Sequence, residues 1–486
     1  MSAATHSLEL DINGQKVSED AVAPTTTLLQ YLRARGLTAT KEGCAEGDCG
    51  ACTVAVHEPG EASFRAVNSC LVLLPMVHNK HVVTAEALKS KAGPHPVQES
   101  LVLALGSQCG YCTPGVVMSM FEACYRSDLD APWKLDDQMC GNLCRCTGYR
   151  PIREATREIA GARPDDRFRA MLDAGASAPN DVEYTFGELK YWAPASLGSL
   201  FRVLESEPDA KIVHGGTDLS LGITKKFELP PRLVSLEQLA ELAQIEDLGD
   251  RWEIGAGVRL SDLETFSRGV LPPLERMLRF FGSRQIKHRA TVGGNLANAS
   301  PIGDLPPVLL ALGATIVLTS SRGEEELPLD RFFLAYRKTT LVPGQIISAV
   351  RVPKLPARGA LASSYKVSKR QELDISTTAA AFFVTLEGDR VREARLAYGG
   401  MAATPTRAKN AERALTGARW DKDAVEAACA ALGHDFEPID DHRGSAWYRR
   451  ELAANLLRGF FLETARTAYP THTYRPVATV IPEVTP

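Results

Sequence analysis

Ten of the eleven cysteines in this 486-residue chain fall between Cys44 and Cys146. Cys44, Cys49 and Cys52 have four and two residues between them, and Cys70 follows after seventeen more. That spacing is the one by which a single loop holds a [2Fe–2S] cluster, with three thiolates turned inward and a fourth supplied from downstream. Gly43, Gly47 and Gly50 give the loop the backbone freedom that curling around an anionic core requires. They also let backbone N–H groups approach the sulfurs. A zinc site is the alternative use of four such thiols.

A second set follows. Cys109-Gly-Tyr-Cys112 and Cys144-Arg-Cys146 together offer four more thiolates on two turns that must face each other. Cys140 competes for a place, because it stands four residues before Cys144 and would share a helix face if a helix ran through both. Gly141 and Asn142 argue that the helix stops, which favours Cys144 and Cys146. Cys124, Cys140 and Cys429 are then read as small apolar core residues. Disulfides are disfavoured by the odd count and by an N-terminus with no basic stretch leading into an apolar one. The expected setting is therefore the reducing cytoplasm. A net charge of -4, with acids and bases nearly balanced, argues against a nucleic-acid-binding role, which needs a basic face, and the composition is that of a globular chain of several domains.

The elements that must position these thiols can be read from periodicity. Leu8, Leu10 and Ile12 alternate with polar residues ahead of an Asn13-Gly14 hairpin signal. Leu28, Leu29 and Leu32 share one helix face, with Thr27 as N-cap and Gly36 as the stop. Strands are expected at Thr53–His57 and Val82–Thr84, giving a small mixed sheet of the β-grasp kind over 1–85. Residues 86–165 read as an all-α domain of four helices, one of them starting at Thr113-Pro114. A polar, small-residue linker is expected at 166–182. Alternating strands and helices follow over 183–360, and strands then helices over 361–486.

Two glycine-containing stretches could cradle a phosphate. In one, Lys211, Ile212 and Val213 lead as a strand into His214, Gly215, Gly216, Thr217, Asp218 and Leu219, where exposed N–H groups and a hydroxyl can meet a pyrophosphate. In the other, Thr291, Val292, Gly293, Gly294 and Asn295 repeat that chemistry. Ordinary turns are the alternative for each pair taken alone. Gly255-Ala256-Gly257 lacks the third glycine of a dinucleotide fingerprint, having Leu260 there, and is rejected.

The stretches GCAEGDCGACTV, SQCGYCTPG and GNLCRCTGYRPI resemble the paired iron–sulfur domains of the molybdenum hydroxylases, the xanthine dehydrogenase and oxidase family. HGGTDL, RATVGGNLANASPIGDLPPVLLALGA, YKVSKRQELDIS and YGGMAATPTRA extend the likeness over nearly the whole chain, and it is nearest to the small subunit of bacterial two-subunit members. His214, where a small apolar residue is usual, and Cys140 depart from the pattern. The resemblance implies an α+β multidomain protein: a β-grasp [2Fe–2S] ferredoxin-like domain, a four-helix [2Fe–2S] domain, and a vanillyl-alcohol-oxidase-type FAD domain with an α/β C-terminal domain. It places residues 211–219 and 291–295 on the FAD pyrophosphate and ribityl chain, Asp304 in a hydrogen bond to the cofactor, Phe281 against the isoalloxazine, Lys366 near the ring, and Tyr336 where nicotinamide docks. It further implies electron transfer from a molybdopterin centre through both clusters to FAD and on to NAD⁺, during oxidation of hypoxanthine and xanthine to urate. No stretch of this sequence reads as a molybdopterin domain, so a large partner subunit is expected, in an αβ pair that dimerises to α2β2. An aldehyde, CO or another N-heterocycle is the alternative substrate.

Overall fold

The computed structural model describes residues 7–470 apart from 92, 177, 371 and 466. The outer limits of the first and last expected domains, 1–6 and 471–486, lie outside the described residues. Strands Leu8–Ile12 and Gln15–Glu19 form the hairpin that Asn13-Gly14 announces, both turn residues having positive φ (59° and 83°). With Thr53–His57, Arg65–Asn68 and His81–Val83 they make a five-stranded sheet in the order second, first, fifth, third, fourth. First and fifth strands pair in parallel, Asp11 opposite His81. Helix Leu28–Ala34 packs Leu28, Leu29, Tyr31 and Leu32 inward, and its start is set by a capping box between Thr27 and Gln30. The cysteine loop connects this helix to the third strand, and Leu29 packs with Cys52, Cys70 and Leu71.

Four helices follow at Pro96–Leu103, Thr113–Tyr125, Pro132–Met139 and Arg150–Ile159. Thr113–Tyr125 is the axis of this bundle, with every side chain from Val116 to Tyr125 buried. Residues 166–182, expected as a plain linker, depart from that reading at their start. Asp166 accepts from the Phe168 and Arg169 N–H groups and caps a helix, Arg167–Leu172, whose Phe168 is buried among Phe64, Phe121 and Tyr125. One aromatic residue with a good N-cap was enough to anchor a stretch whose composition reads as connector.

In the half expected to bind flavin, here called the flavin half, Val182–Phe186, Leu189–Ala193, Arg232–Ser235 and Lys211–Val213 form one four-stranded sheet, the last three strands parallel. A second sheet of five antiparallel strands has Ile346–Pro353 at its centre, and the helix Leu305–Leu312, buried along its whole length, lies in the core between it and the C-terminal sheet. The C-terminal unit lays helices Lys409–Leu415, Lys422–Ala431 and Ala446–Thr464 on an antiparallel sheet formed by Ala360–Val367, Thr378–Glu387, Arg390–Gly399 and Thr406–Arg407.

One short helix, Arg284–Lys287, joins these parts. Lys287 is fully buried and lies 2.6 Å from Asp137 of the helical bundle and 2.7 Å from Glu264 of the flavin half. Arg284 donates to Glu122 at 2.8 Å, and the His288 ring pairs with the Ala66 carbonyl at 2.8 Å. Burial alone pulls the Lys287 ammonium down, but Asp137 and Glu264 overturn that and hold it charged. Replacing Lys287 with Met would leave Asp137 with Arg284 at 3.8 Å and Glu264 with Arg268 at 3.9 Å as their nearest cations, and is expected to cost about 3–5 kcal/mol. The check is the denaturation midpoint, together with a second variant in which Asp137→Asn and Glu264→Gln are added. That triple change should recover most of the loss.

Candidate cluster and cofactor sites

The first cysteine loop reverses direction through Ala45, Gly47 and Gly50, all at positive φ. The Cys49 N–H and the Glu46 N–H both point at the Cys44 sulfur, at 3.3 and 3.4 Å, and the Cys44 N–H points at the Cys49 sulfur at 3.3 Å. A Cβ on Gly43 would lie 2.6 Å from that same Cys49 sulfur, so only glycine fits there. The thiols associate two by two. A hydrogen bond from Cys49 draws the Cys44 thiol below its usual range, and one from Cys70 does the same to Cys52. Cys52 and Cys70 are buried, Cys44 and Cys49 half-buried.

The second set repeats this pairing. Cys109 and Cys146 perturb one another's ionisation, Cys109 being drawn down and Cys146 pushed up, and Cys144 and Cys112 do likewise. Thr147 Oγ1 lies 3.1 Å from the Cys144 sulfur, and the Cys144 N–H donates to the Tyr149 hydroxyl at 3.1 Å. Helix Pro132–Met139 stops at Cys140, whose thiol donates to the Asp137 carbonyl at 3.2 Å. Cys140 thus turns toward the Lys287 hub and away from the other thiols. Cys124 and Cys429 are buried in separate hydrophobic cores. Two pairs of thiols, with N–H groups aimed at sulfur in the first set, suit a two-iron cluster, where each iron takes two thiolates.

The glycine stretches also meet. Gly215 and Gly216 take φ of 71° and 77°, and a Cβ on Gly215 would lie 1.8 Å from the Arg289 carbonyl oxygen, two residues before Thr291. Residues 291–295 are not the open loop expected from sequence. Thr291 accepts from the Gly294 N–H at 3.2 Å and caps a short helix, Val292–Ala297, because a threonine three residues before an N–H in a compact turn is an N-cap. Gly293 sits against Ala256, where a Cβ would come within 2.7 Å, whereas Gly294 is exposed. Asn295 carries a buried Oδ1 with no hydrogen-bond partner, an acceptor left for something the protein does not supply. Lys211 and Ile212 are exposed, Val213 and Val292 buried, and Leu219 and Thr217 half-buried.

Phe281, Asp304 and Lys366, far apart in sequence, converge. The Lys366 ammonium is 2.7 Å from Asp304 and 6.0 Å from the centre of the Phe281 ring, and the second Asp304 oxygen accepts from Ser376 at 2.5 Å. Ser376 lies within YKVSKRQELDIS but was not singled out from sequence, since a serine there carries no pattern. Tyr336 is 61% exposed on the hairpin between Phe333–Ala335 and Lys338–Thr339, and the neighbouring Arg337 faces the exposed Asp218 at 3.7 Å. His214 lines a cavity of about 780 Å³ with Lys80, Glu237 and Arg259, between the first unit and the flavin half, and burial pushes its imidazole down to about 4.

The flavin half touches the first cysteine loop directly. Ser220 donates to the Leu71 carbonyl at 2.8 Å, one residue beyond Cys70, and Lys225 donates to the Cys44 carbonyl at 2.5 Å. Neither residue was foreseen; both are ordinary helix residues until the fold places them.

Four family descriptions match the chain in order: a 2Fe-2S iron–sulfur cluster binding domain over residues 10–74, a [2Fe-2S] binding domain over 84–157, the FAD binding domain in molybdopterin dehydrogenase over 185–355, and the CO dehydrogenase flavoprotein C-terminal domain over 363–464. Xanthine dehydrogenase of Emericella nidulans is 35% identical over 93% of this chain and 38% of its own length. Xanthine dehydrogenase 1 of Arabidopsis thaliana is 32% identical over 93% and 39%. The chain therefore spans less than two fifths of these relatives. Among solved structures, carbon monoxide dehydrogenase from Hydrogenophaga pseudoflava is 31% identical with a TM-score of 0.53, covering 55% of this chain and 94% of that one. Quinoline 2-oxidoreductase from Pseudomonas putida 86 is 28% identical, TM-score 0.53, over 57% and 97%. Two [2Fe–2S] domains and an FAD-binding domain define an electron-transferring iron–sulfur flavoprotein. The chain belongs to the molybdenum hydroxylase family, as its iron–sulfur and flavin part.

Two expectations follow. Cys146→Ser should remove or alter one of two [2Fe–2S] electron paramagnetic resonance signals and spare the other, while Cys140→Ser should leave both; the opposite pattern would overturn this set of thiols. Gly294→Val would press a branched side chain on Thr291 Oγ1, which a Cβ alone already approaches to 3.0 Å, and would occupy the exposed face. That variant should purify with its iron but depleted in flavin, read from the ratio of flavin to iron.

Proposed function

We propose that this chain is the electron-transfer subunit of a cytoplasmic xanthine dehydrogenase. In this reading it carries electrons from a molybdopterin centre on a large partner subunit, by way of the two cysteine sets, to the FAD-binding half and on to NAD⁺, as hypoxanthine and xanthine are oxidised to urate. Cys109, Cys112, Cys144 and Cys146 would hold one cluster and Cys44, Cys49, Cys52 and Cys70 the other. Bound there, the iron–sulfur groups supply one-electron steps and FAD couples them to two-electron hydride chemistry. The exposed Cys109 and Cys146 put the helical set at the surface, where a partner can approach, and Ser220 and Lys225 clamp the other set to the flavin half. Gly215, Gly216, Thr217, Gly294 and Asn295 would bind the FAD diphosphate and ribityl chain. Asp304, held by Lys366 and Ser376, keeps a fixed buried charge pair beside Phe281 where the ring would lie.

The observation that carries the substrate reading is coverage. The xanthine dehydrogenases match 93% of this chain, iron–sulfur and flavin parts together, whereas the carbon monoxide and quinoline enzymes match through chains that cover only 55% and 57% of it. An equivalent subunit acting on CO, an aldehyde or another N-heterocycle is the second reading, favoured by the shared flavoprotein fold.

The chain purified alone is expected to oxidise NADH with an artificial acceptor, to contain no molybdenum and not to turn over xanthine. Adding a molybdopterin-bearing large subunit should restore xanthine-dependent NADH formation within an αβ pair that dimerises. Xanthine turnover by the chain alone, with molybdenum bound to it, would overturn the division of labour.

A further inference from the structure

The seam between the two cysteine sets is made of backbone and one directed chain of side-chain amides. The Leu143 N–H donates to the Cys49 carbonyl at 3.0 Å, so the residue before Cys144 is hydrogen-bonded to a cysteine of the other set. Such contact needs glycines on both sides: a Cβ on Gly50 would lie 2.0 Å from the Gly141 oxygen, and one on Gly115 would lie 2.1 Å from the Gly50 oxygen. Asn142 bridges the same gap, its Nδ2 donating to the Gly50 carbonyl at 3.1 Å and reaching Thr53 Oγ1 at 3.3 Å.

The third party comes from the flavin half. Gln285, buried on the Arg284–Lys287 helix, reaches into this seam, and its Nε2 donates to Asn142 Oδ1 at 3.0 Å and to Ser119 Oγ at 3.1 Å. The direction of this chain is forced. The Gly50 carbonyl can only accept, so Asn142 must turn its NH2 to it and its oxygen to Gln285. Ser119, 2.6 Å from Asn142 Oδ1, can donate or accept and would tolerate the opposite orientation. The Gly50 carbonyl sets the direction, and the Gln285 amide, which could turn either end to Asn142, answers it with its NH2 and so holds Asn142 in that orientation from the flavin half.

We infer that Gln285 is a positioning residue for electron transfer: a side chain of the flavin half that locks Asn142 and thereby sets the separation and orientation of the two cluster-binding loops. This rests on the reading of the cysteine sets as two [2Fe–2S] sites. The role is distinct from the ion pairs of Arg284 and Lys287 beside it, which bind the units together whichever way Asn142 faces. Gln285 spends one amide on the seam and leaves its buried Oε1 without a partner, a cost a purely packing residue would not carry.

The test uses the full chain loaded with iron, in which the two reduced clusters report their separation through their magnetic interaction. Two variants reach the seam independently. Gln285→Leu removes the donor, and Gly141→Ala displaces it, because a Cβ there would stand 1.9 Å from Gln285 Oε1. Each should keep both cluster signals and full iron while the low-temperature splitting between the clusters collapses into a broadened distribution. Should either variant lose iron, Gln285→Glu at alkaline pH keeps the shape, replaces the donor with an acceptor and is read in the same way. Splitting unchanged in these variants, or a native chain with two clusters and no magnetic interaction, overturns the inference. A native chain that binds iron but shows no pair of [2Fe–2S] signals overturns instead the cluster reading beneath it.

Discussion

A single buried ammonium holds this molecule in register. Lys287 has no exposure to water, and two carboxylates from different units surround it. Removing such charges from water costs several kcal/mol for each ion, about the net stability of a small domain. The cost is offset only while bundle, flavin half and connecting helix all stay together. The charge therefore works less as a source of stability than as a condition of assembly: Asp137 meets Lys287 and Arg284 only when the bundle is docked on the flavin half. Arg284, on the same turn, imposes a like condition through Glu122, whose second oxygen also accepts from the Ala66 N–H of the first unit.

That constraint explains why so many functional contacts cross unit boundaries. The two cysteine sets touch through backbone, and the glycine cradle of the flavin half abuts the residue after Cys70. Electron transfer needs donor and acceptor groups at short, fixed separations, and loops on separately mobile domains would not keep them. Three units locked by buried charge can. The arrangement also leaves Cys109 and Cys146 of the helical set exposed, while no cysteine of the other set is more than half-exposed.

Burial of charge recurs where the flavin ring is proposed to lie. Asp304 and Lys366 neutralise one another, with Ser376 taking the remaining carboxylate oxygen, so the pair presents a fixed dipole at little further desolvation cost. His214 shows the contrary case. Its imidazole, kept neutral by burial, faces a cavity between units.

Much of this was legible in the chain itself. The cysteine spacings, the Asn13-Gly14 hairpin, the Thr27 cap and the proline-started helices depend on interactions within a few residues, and the sequence by itself determined them. Even the end of helix Pro132–Met139 at Cys140 was local, since Gly141 and Asn142 stop it. Short-range reading failed where one side chain outweighed composition, as Phe168 did in the supposed linker, or where a cap turned the stretch at Thr291 into a helix. Only the tertiary structure decided which thiols face each other, that Phe281, Asp304 and Lys366 share a site, and that Gln285 reaches the seam between the cysteine sets. Those pairings join residues as many as 166 positions apart. Their partners are chosen by burial, charge and hydrogen-bond direction in the assembled core, and no local pattern encodes them.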